Sequence, residues 1–222
     1  MTDRRPAKRI GMIHTVLGLA GMMDGLARAK YPDIEVFHFV DEKLLADLLA
    51  HGLNESITQR MVRYGEMAQQ SGAEIILSTC SSTSPAVDVA RRHVTVPFLK
   101  IDDAMARKAV SSGERIGLFC TATSTVDPSR ALLEDHAKQM GRNVQIDVKL
   151  EADAYKARLA GDQKKHDELV FAGATDFGKS VDVLVLAQAS MAHLQEAVQA
   201  KLGKPVLASP KLCIDGLADW MN

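Results

Sequence analysis

Three cysteines, Cys80, Cys120 and Cys213, are spread along the chain without a CxxC pair. An odd, scattered set indicates neither a disulfide framework nor a structural zinc site, so each thiol is either packed in the core or kept reduced for reaction. Cys80 stands out by its surroundings. The segment GAEIILSTCSSTSP, residues 72–85, is a strongly apolar run that ends in Thr79, Cys80, Ser81, Ser82, Thr83 and Ser84. A cysteine after a buried strand and before a helix lies near free backbone N–H groups and the positive end of a helix, both of which favour its thiolate. Inert core packing is the alternative, but a core segment would not normally carry so many hydroxyls in one run. With their N–H groups they form a turn suited to an anion, such as a carboxylate.

Other residues with chemical potential are fewer. His14 and Thr15 follow the first apolar run, and His14 is suited to act as an acid, a base or a carboxylate ligand, or else as a hydrogen-bonded structural histidine. Thr121, Thr123, Ser124 and Thr125 form a second hydroxyl-rich loop, either a donor set for a carboxylate or a plain turn. Ser190 and His193 lie at a helix start, where an N-cap and an exposed helical residue are the structural alternatives. His166 and Asp167 read as solvated surface, Cys120 as buried packing at a strand end, and Cys213 as core. Asp102 and Asp103 resemble a carboxylate dyad but open a helix, where acids stabilise the N-terminal dipole. GLAGMMDG, residues 18–25, has neither the GxGxxG spacing nor a following P-loop lysine, so nucleotide binding is not expected.

These residues are positioned by an alternation of strands and helices. Periodicity predicts strands at residues 9–13, 34–39, 74–78, 96–100, 115–119, 143–148, 183–186 and 205–208. Helices are expected near 21–30, 42–50, 55–70, from Pro85, 102–111, 128–140, 152–178 with a break at Gly161, 191–202 and 211–220. Such an order implies α/β architecture with parallel sheets covered on both faces.

At 222 residues the chain lies between one large and two small domains, and its 46% hydrophobic and 25% charged content is that of a folded protein. A net charge of -1 gives no footprint for a polyanion, so no nucleic-acid partner is expected. The basic run Arg4, Arg5, Lys8 and Arg9 reads as a solvated tail. Residues 10–23 imitate the apolar part of a signal peptide, but His14 and the glycines interrupt them and Asp24 and Arg28 close them, so a strand, a loop and a helix start are expected instead. No segment has the roughly 20 apolar residues of a membrane span, which makes no membrane partner and a cytoplasmic location the expectation.

The chain also echoes itself. The strand, polar turn and helix of residues 73–85 precede VPFLKIDDAMARKAV, and the same unit at 181–193 precedes KPVLASPKLCIDGLADW. Near-matching order in two halves suggests two comparable α/β lobes, the first at residues 9–100 with 209–222, the second at 101–208. The carboxyl ends of their buried strands would then meet at one cleft, where open α/β sheets bind ligands.

With these segments, and with ERIGLFCTATST and VDVLVLAQASMA, the sequence resembles the Asp/Glu/hydantoin racemase superfamily over nearly its whole length. The resemblance implies two pseudo-symmetric lobes with the active site between them, and no metal, pyridoxal phosphate, nucleotide or other cofactor. It also implies a small carboxylate substrate and a homo-oligomer. Racemases of the family place one cysteine after the buried strand of each lobe; one thiolate removes the proton next to the carbonyl and the other thiol returns one from the far side.

Residue by residue, Cys80 matches the first-lobe cysteine, and Thr79, Ser81 and Ser82 match the turn that holds the substrate carboxylate. His14 and Thr15 match polar substrate contacts, and Thr121 and Thr123 match the threonine loop. The second lobe departs from the pattern: where a racemase would read LGCT, this chain has Leu186, Ala187, Gln188 and Ala189. Gln188 takes the second thiol's position, and an amide does not exchange protons near neutral pH. Ser190 and His193 are candidates for the missing second-face group. The LAQ-S-M form, with TCS at residues 79–81 and His14, is similar to a subgroup described as Asp/Glu racemase-like. Arylmalonate decarboxylases also keep one cysteine, but in the second lobe. The expected activity is therefore a cofactor-independent isomerase using Cys80, with one-face decarboxylation or lysis as the alternative and a non-catalytic carboxylate-binding protein as a second one.

Overall fold

The computed structural model describes residues 8–221. Arg4 and Arg5 of the basic run lie outside them. The chain divides into two compact units, one running to Ile101 and resuming at Ile214, the other spanning Asp102–Cys213.

In the first unit, β1 (Arg9–His14), β2 (Glu35–Val40), β3 (Ile75–Ser78) and β4 (Phe98–Lys100) form a parallel sheet in the order β2-β1-β3-β4. The central strands are buried almost throughout, as their continuous apolar runs require when helices cover both faces. Helix α1 (Leu17–Lys30) packs on β1 and β2 and buries Met23 and Ala27. Ile13 and Ile76 face the other way, into a core with Leu44 and Leu48 of α2 (Glu42–His51), Ile57, Met61 and Ala68 of α3 (Glu55–Gln70), and Ala86 and Val87 of α4 (Ser84–Ala90). Gly65 allows α3 this approach, because a Cβ there would sit 2.9 Å from the Phe98 ring.

Asp41 joins the strand to its helices. One carboxylate oxygen accepts the Leu44 N–H at 3.0 Å, capping α2, and the other accepts from Tyr64 Oη at 2.8 Å and from Arg60, both on α3. Burial alone would raise this carboxyl, but the bonds from Tyr64, Arg60 and Leu44 outweigh it and hold Asp41 below the usual carboxylate range. Asp41→Ala is expected to cost about 2–3 kcal/mol, the sum of a lost cap and lost charge-assisted bonds. Because the folded-state value is depressed, that contribution is present above the unfolded pKa and disappears as pH falls through the folded one. Thermal melts of wild type and variant should therefore converge on acidification.

In the second unit, β5 (Arg115–Cys120), β6 (Gln145–Leu150), β7 (Val183–Leu186) and β8 (Val206–Ala208) form a parallel sheet in the order β6-β5-β7-β8. Strand alternation sends Ile116, Leu118, Val183 and Val185 toward α5 (Asp103–Ser112) and α6 (Thr123–Gln139). Phe119, Leu184 and Leu186 go to the opposite face, against α7 (Ala152–Leu159), α8 (Gln163–Phe177) and α9 (Gln195–Leu202). Helix α10 (Ser209–Gly216) begins in this unit and carries the chain back to the first, where a 3-10 turn follows at Leu217–Trp220.

All eight strands fall within two residues of expectation, and Gly161, at φ +79°, breaks α7 from α8 as expected. Four expectations need correction. Helix α6 begins at Thr123 rather than Pro128, because Pro128 is accommodated inside it; only one helical N–H is lost there, and buried Thr125, Ser129, Leu132 and Leu133 hold the helix in place. Helix α1 starts four residues early, at Leu17. A 3-10 turn at Ala189–Leu194 precedes α9, so Ser190 is not an N-cap. His166 is fully buried, not solvated: α8 turns it inward, and its Nδ1 lies 2.9 Å from the Ala154 carbonyl oxygen. Among the described residues no helix is long and apolar enough to cross a membrane.

Candidate active site

The two sheets put equivalent residues at equivalent strand ends. In the first unit the Thr79 N–H donates to the Ile13 carbonyl at 3.0 Å and the Asp41 N–H to the His14 carbonyl at 2.9 Å. In the second, the Ala187 N–H donates to the Phe119 carbonyl at 3.0 Å and the Glu151 N–H to the Cys120 carbonyl at 2.8 Å. By this hydrogen-bond register Thr79 corresponds to Ala187, Cys80 to Gln188, His14 to Cys120 and Thr15 to Thr121.

Cys80 sits in extended conformation between β3 and a 3-10 turn, Ser81–Thr83, that leads into α4 with Pro85 in its first turn. Its carbonyl accepts from the Thr83 N–H at 3.2 Å and the Thr83 hydroxyl at 3.0 Å. Thr79, Ser81, Ser82, Thr83 and Ser84 are buried around it, while Cys80 itself is half-buried. The other two thiols are enclosed. Burial, with a smaller contribution from the nearby negative charge of Asp102, pushes the Cys120 thiol up to about 12, and burial with Asp102 and Asp103 raises Cys213 further. Under native conditions a bulky maleimide is expected to modify one thiol per chain, and Cys80→Ser should abolish that reaction, whereas denaturant should expose the buried thiols. Fast native labelling that survives in Cys80→Ser would contradict this assignment.

His14 is wholly buried, with Nδ1 2.8 Å from Thr79 Oγ1 and Nε2 2.9 Å from His38 Nδ1. Both ring nitrogens are thus engaged inside the protein, and His14 reaches the strand end through Thr79 rather than as a direct ligand. Burial, and then the charge of His38, lower the His14 pKa to about 4, so it is neutral at physiological pH. Thr15 follows it, also buried. His38 lies 3.4 Å from Asp24 Oδ1, and Asp24 in turn pairs with Arg28. Sequence reasoning missed His38 and Asp24. A histidine between two phenylalanines in EVFHFV was the available signal, since alternation sends it to the face opposite Phe37 and Phe39.

In the second unit Gln188 Oε1 accepts three hydrogen bonds: from the Thr121 N–H at 2.6 Å, the Thr121 hydroxyl at 3.1 Å and the Ala122 N–H at 3.3 Å. The amide oxygen occupies the donors that made Thr121 a candidate for carboxylate binding. Thr123 opens α6 and is exposed. Ser190 lies in the 3-10 turn, its hydroxyl buried without a partner among the described residues. His193 is exposed and pairs with Asp167 at 2.9 Å. Asp102 and Asp103 do stand at the start of α5; the Asp102 carbonyl accepts the Ala106 N–H, and Asp103 faces His136 at 3.5 Å. Among the described residues no group of three or more His, Cys, Asp or Glu is arranged to hold a metal ion.

No curated protein sequence matches the chain. Solved structures do. A glutamate racemase isoform of Bacillus anthracis superposes with a TM-score of 0.75 at 12% identity, covering 97% of this chain and 82% of the other. An aspartate racemase homologue from Pyrococcus horikoshii gives 0.71 at 17% identity, covering 96% and 99%. A glycine-to-cysteine variant of arylmalonate decarboxylase, in its sulfate-associated form, gives 0.59 at 16%, covering 95% and 92%. At these identities the likeness is one of fold. Residues 16–215, nearly all of both α/β units, match the Asp/Glu/Hydantoin racemase family, and the chain belongs to that family.

Proposed function

We propose that this protein is a cofactor-independent isomerase-type enzyme in which Cys80 moves a proton at the carbon next to the carboxylate of a small amino acid or related acid. The observation that carries the reading is Cys80 itself, the half-buried thiol at the carboxyl end of β3, opening a turn lined with buried hydroxyls. That turn suits a carboxylate, and a thiolate beside it is placed to take the adjacent C–H proton or, as a thiol, to give one to a carbanion. Family membership supports the same chemistry.

Gln188 favours a second reading for the other half of the cycle. Its carbonyl is committed to Thr121 and Ala122, and an amide neither gains nor loses a proton readily enough near neutral pH to serve as an acid or base. Protonation from one face, as in a decarboxylase or lyase, needs only Cys80. A panel of small mono- and dicarboxylic acids, incubated in deuterium oxide with wild type and Cys80→Ser, tests both. Deuterium next to the carboxyl group, lost in the variant, is the expected result. Racemic product supports two-face exchange; a single enantiomer, or carbon dioxide as co-product, supports the one-face reading. Thermal stabilisation by an acid that is neither exchanged nor consumed would point instead to a binding protein.

A further inference from the structure

We propose that Thr79, His14, His38 and Asp24 form a proton relay from the outer side of α1 to the strand end that carries Cys80, with His38 as its loading point. The contacts are continuous: Thr79 Oγ1 to His14 Nδ1 at 2.8 Å, His14 Nε2 to His38 Nδ1 at 2.9 Å, and His38 Nε2 to Asp24 Oδ1 at 3.4 Å. The chain runs from full burial at His14 to side chains 24% exposed at His38 and 30% at Asp24. The titratable and charged groups around His38 are His14 from β1 and Asp24, with Arg28 behind it, from α1. Hydrogen bonds from Arg28 hold the Asp24 carboxyl below its usual range, so Asp24 stays ionised and orients His38 rather than taking its proton. Burial keeps His14 neutral, and His38 is the more exposed of the two rings, the one that solvent reaches first.

The same contacts accept two proton arrangements. In the loaded one, the Thr79 hydroxyl donates to the Ile13 carbonyl, 3.2 Å away, or forward to an acceptor at the strand end; His14 Nδ1–H donates to Thr79, His38 Nδ1–H to His14, and His38 Nε2–H to Asp24. In the discharged one, the Thr79 hydroxyl donates to His14 Nδ1, His14 Nε2–H to His38 Nδ1, and His38 Nε2–H to Asp24. The two differ by one proton. Going from loaded to discharged, Thr79 gives its hydroxyl proton forward and takes the His14 Nδ1 proton, while His14 takes one at Nε2 from His38. His14 changes tautomer and is never charged. To reset, the Thr79 hydroxyl turns back to the Ile13 carbonyl and the His14 proton moves from Nε2 to Nδ1; His38 Nδ1, freed of its donor, then takes a proton from solvent. In the one-face reading a thiol that has protonated a carbanion must regain a proton before the next turnover, and the relay supplies it. This use of the relay rests on the proposed role of Cys80, but the two proton arrangements do not.

Nitrogen-15 NMR of ring-labelled histidines tests the relay without any substrate. As the pH is lowered from alkaline toward weakly acidic, the two His14 ring nitrogens should shift in opposite directions, reporting exchange of one neutral tautomer for the other, and in His38→Phe that response should vanish while the backbone spectrum is kept. A His14 tautomer that stays fixed as the pH is lowered, or a His14 that becomes charged well above its depressed pKa of about 4, would overturn the proposal. The second arm is turnover. If the Cys80-dependent exchange is found, His38→Ala should lower its kcat tenfold or more with KM little changed, and added imidazole should restore part of it. Unchanged kcat alongside a switching His14 would overturn the relay's catalytic use. Should no acid be exchanged at all, the reading of Cys80 fails while the NMR result still decides whether the relay exists.

Discussion

Cys80→Ser should lower proton exchange next to the carboxylate by about 10²–10⁴-fold, the usual worth of a positioned acid/base group, while leaving the melting temperature within about 2 °C. Serine is nearly isosteric, so the turn and its hydrogen bonds survive, but an alcohol neither ionises near neutral pH nor matches a thiolate as a base. The half-buried site also has little packing to lose. The other two cysteines provide the contrast. Cys120 is fully buried in the core formed by α5, α6, β5 and β7, and Cys213 is nearly so, with both thiols raised far above their ordinary values. Serine at either place buries a hydroxyl in place of a thiol, at a cost of about 1–3 kcal/mol where no partner accepts from it. Those variants should melt several degrees lower yet keep full exchange activity per folded molecule. Equal loss of exchange in all three would mean that the Cys80 effect is structural.

The strand positions and the parallel α/β class were legible because buried parallel strands are short continuous apolar runs bounded by turn residues, as in 74–78 and 183–186. The place of Cys80 at a strand end was legible for the same reason: the apolar run stops abruptly in seven consecutive hydroxyl or thiol residues, 78–84. The start of α6 was not, because proline is favoured at the first helical position and Pro128 invites that reading, whereas tertiary burial of Thr125 and Ser129 extends the helix past it. Nor could His166 be placed, since its charged neighbours on α8 mask the inward face. Contacts between distant strands are a harder case. Gln188 meets Thr121 across 67 residues and His14 meets His38 across 24, and both pairings depend on sheet register, which periodicity does not specify. The sequence could therefore nominate Thr121 as a donor without revealing that an internal amide occupies it, and nominate His14 without its partner.

That occupancy makes Gln188 the position where a small change should have the largest effect on the second unit. Gln188→Leu removes the acceptor shared by two N–H groups and one hydroxyl, and Thr121 and Ala122 are themselves buried. Unsatisfied buried donors cost about 1–3 kcal/mol each, less where water can replace the lost acceptor. A destabilisation of about 2–4 kcal/mol follows, or about 5–15 °C in the melting temperature for a chain of this size. Gln188→Glu keeps the shape and offers the same donors a carboxylate, a stronger acceptor than an amide, so it should melt at or above wild type at neutral pH and lose that advantage on acidification, as the carboxylate becomes protonated. Gln188→Ala vacates the position without filling it with an apolar side chain. Acetate or malonate should then raise its melting temperature in proportion to the logarithm of concentration, an effect expected to be weaker at this loop in wild type, where the amide competes for the donors. Leucine and glutamate variants that melt alike, or an alanine variant indifferent to carboxylates, would show that the Gln188 contacts contribute neither stability nor a latent anion site. The reverse result would show that the Gln188 side chain stands in for a carboxylate at this loop.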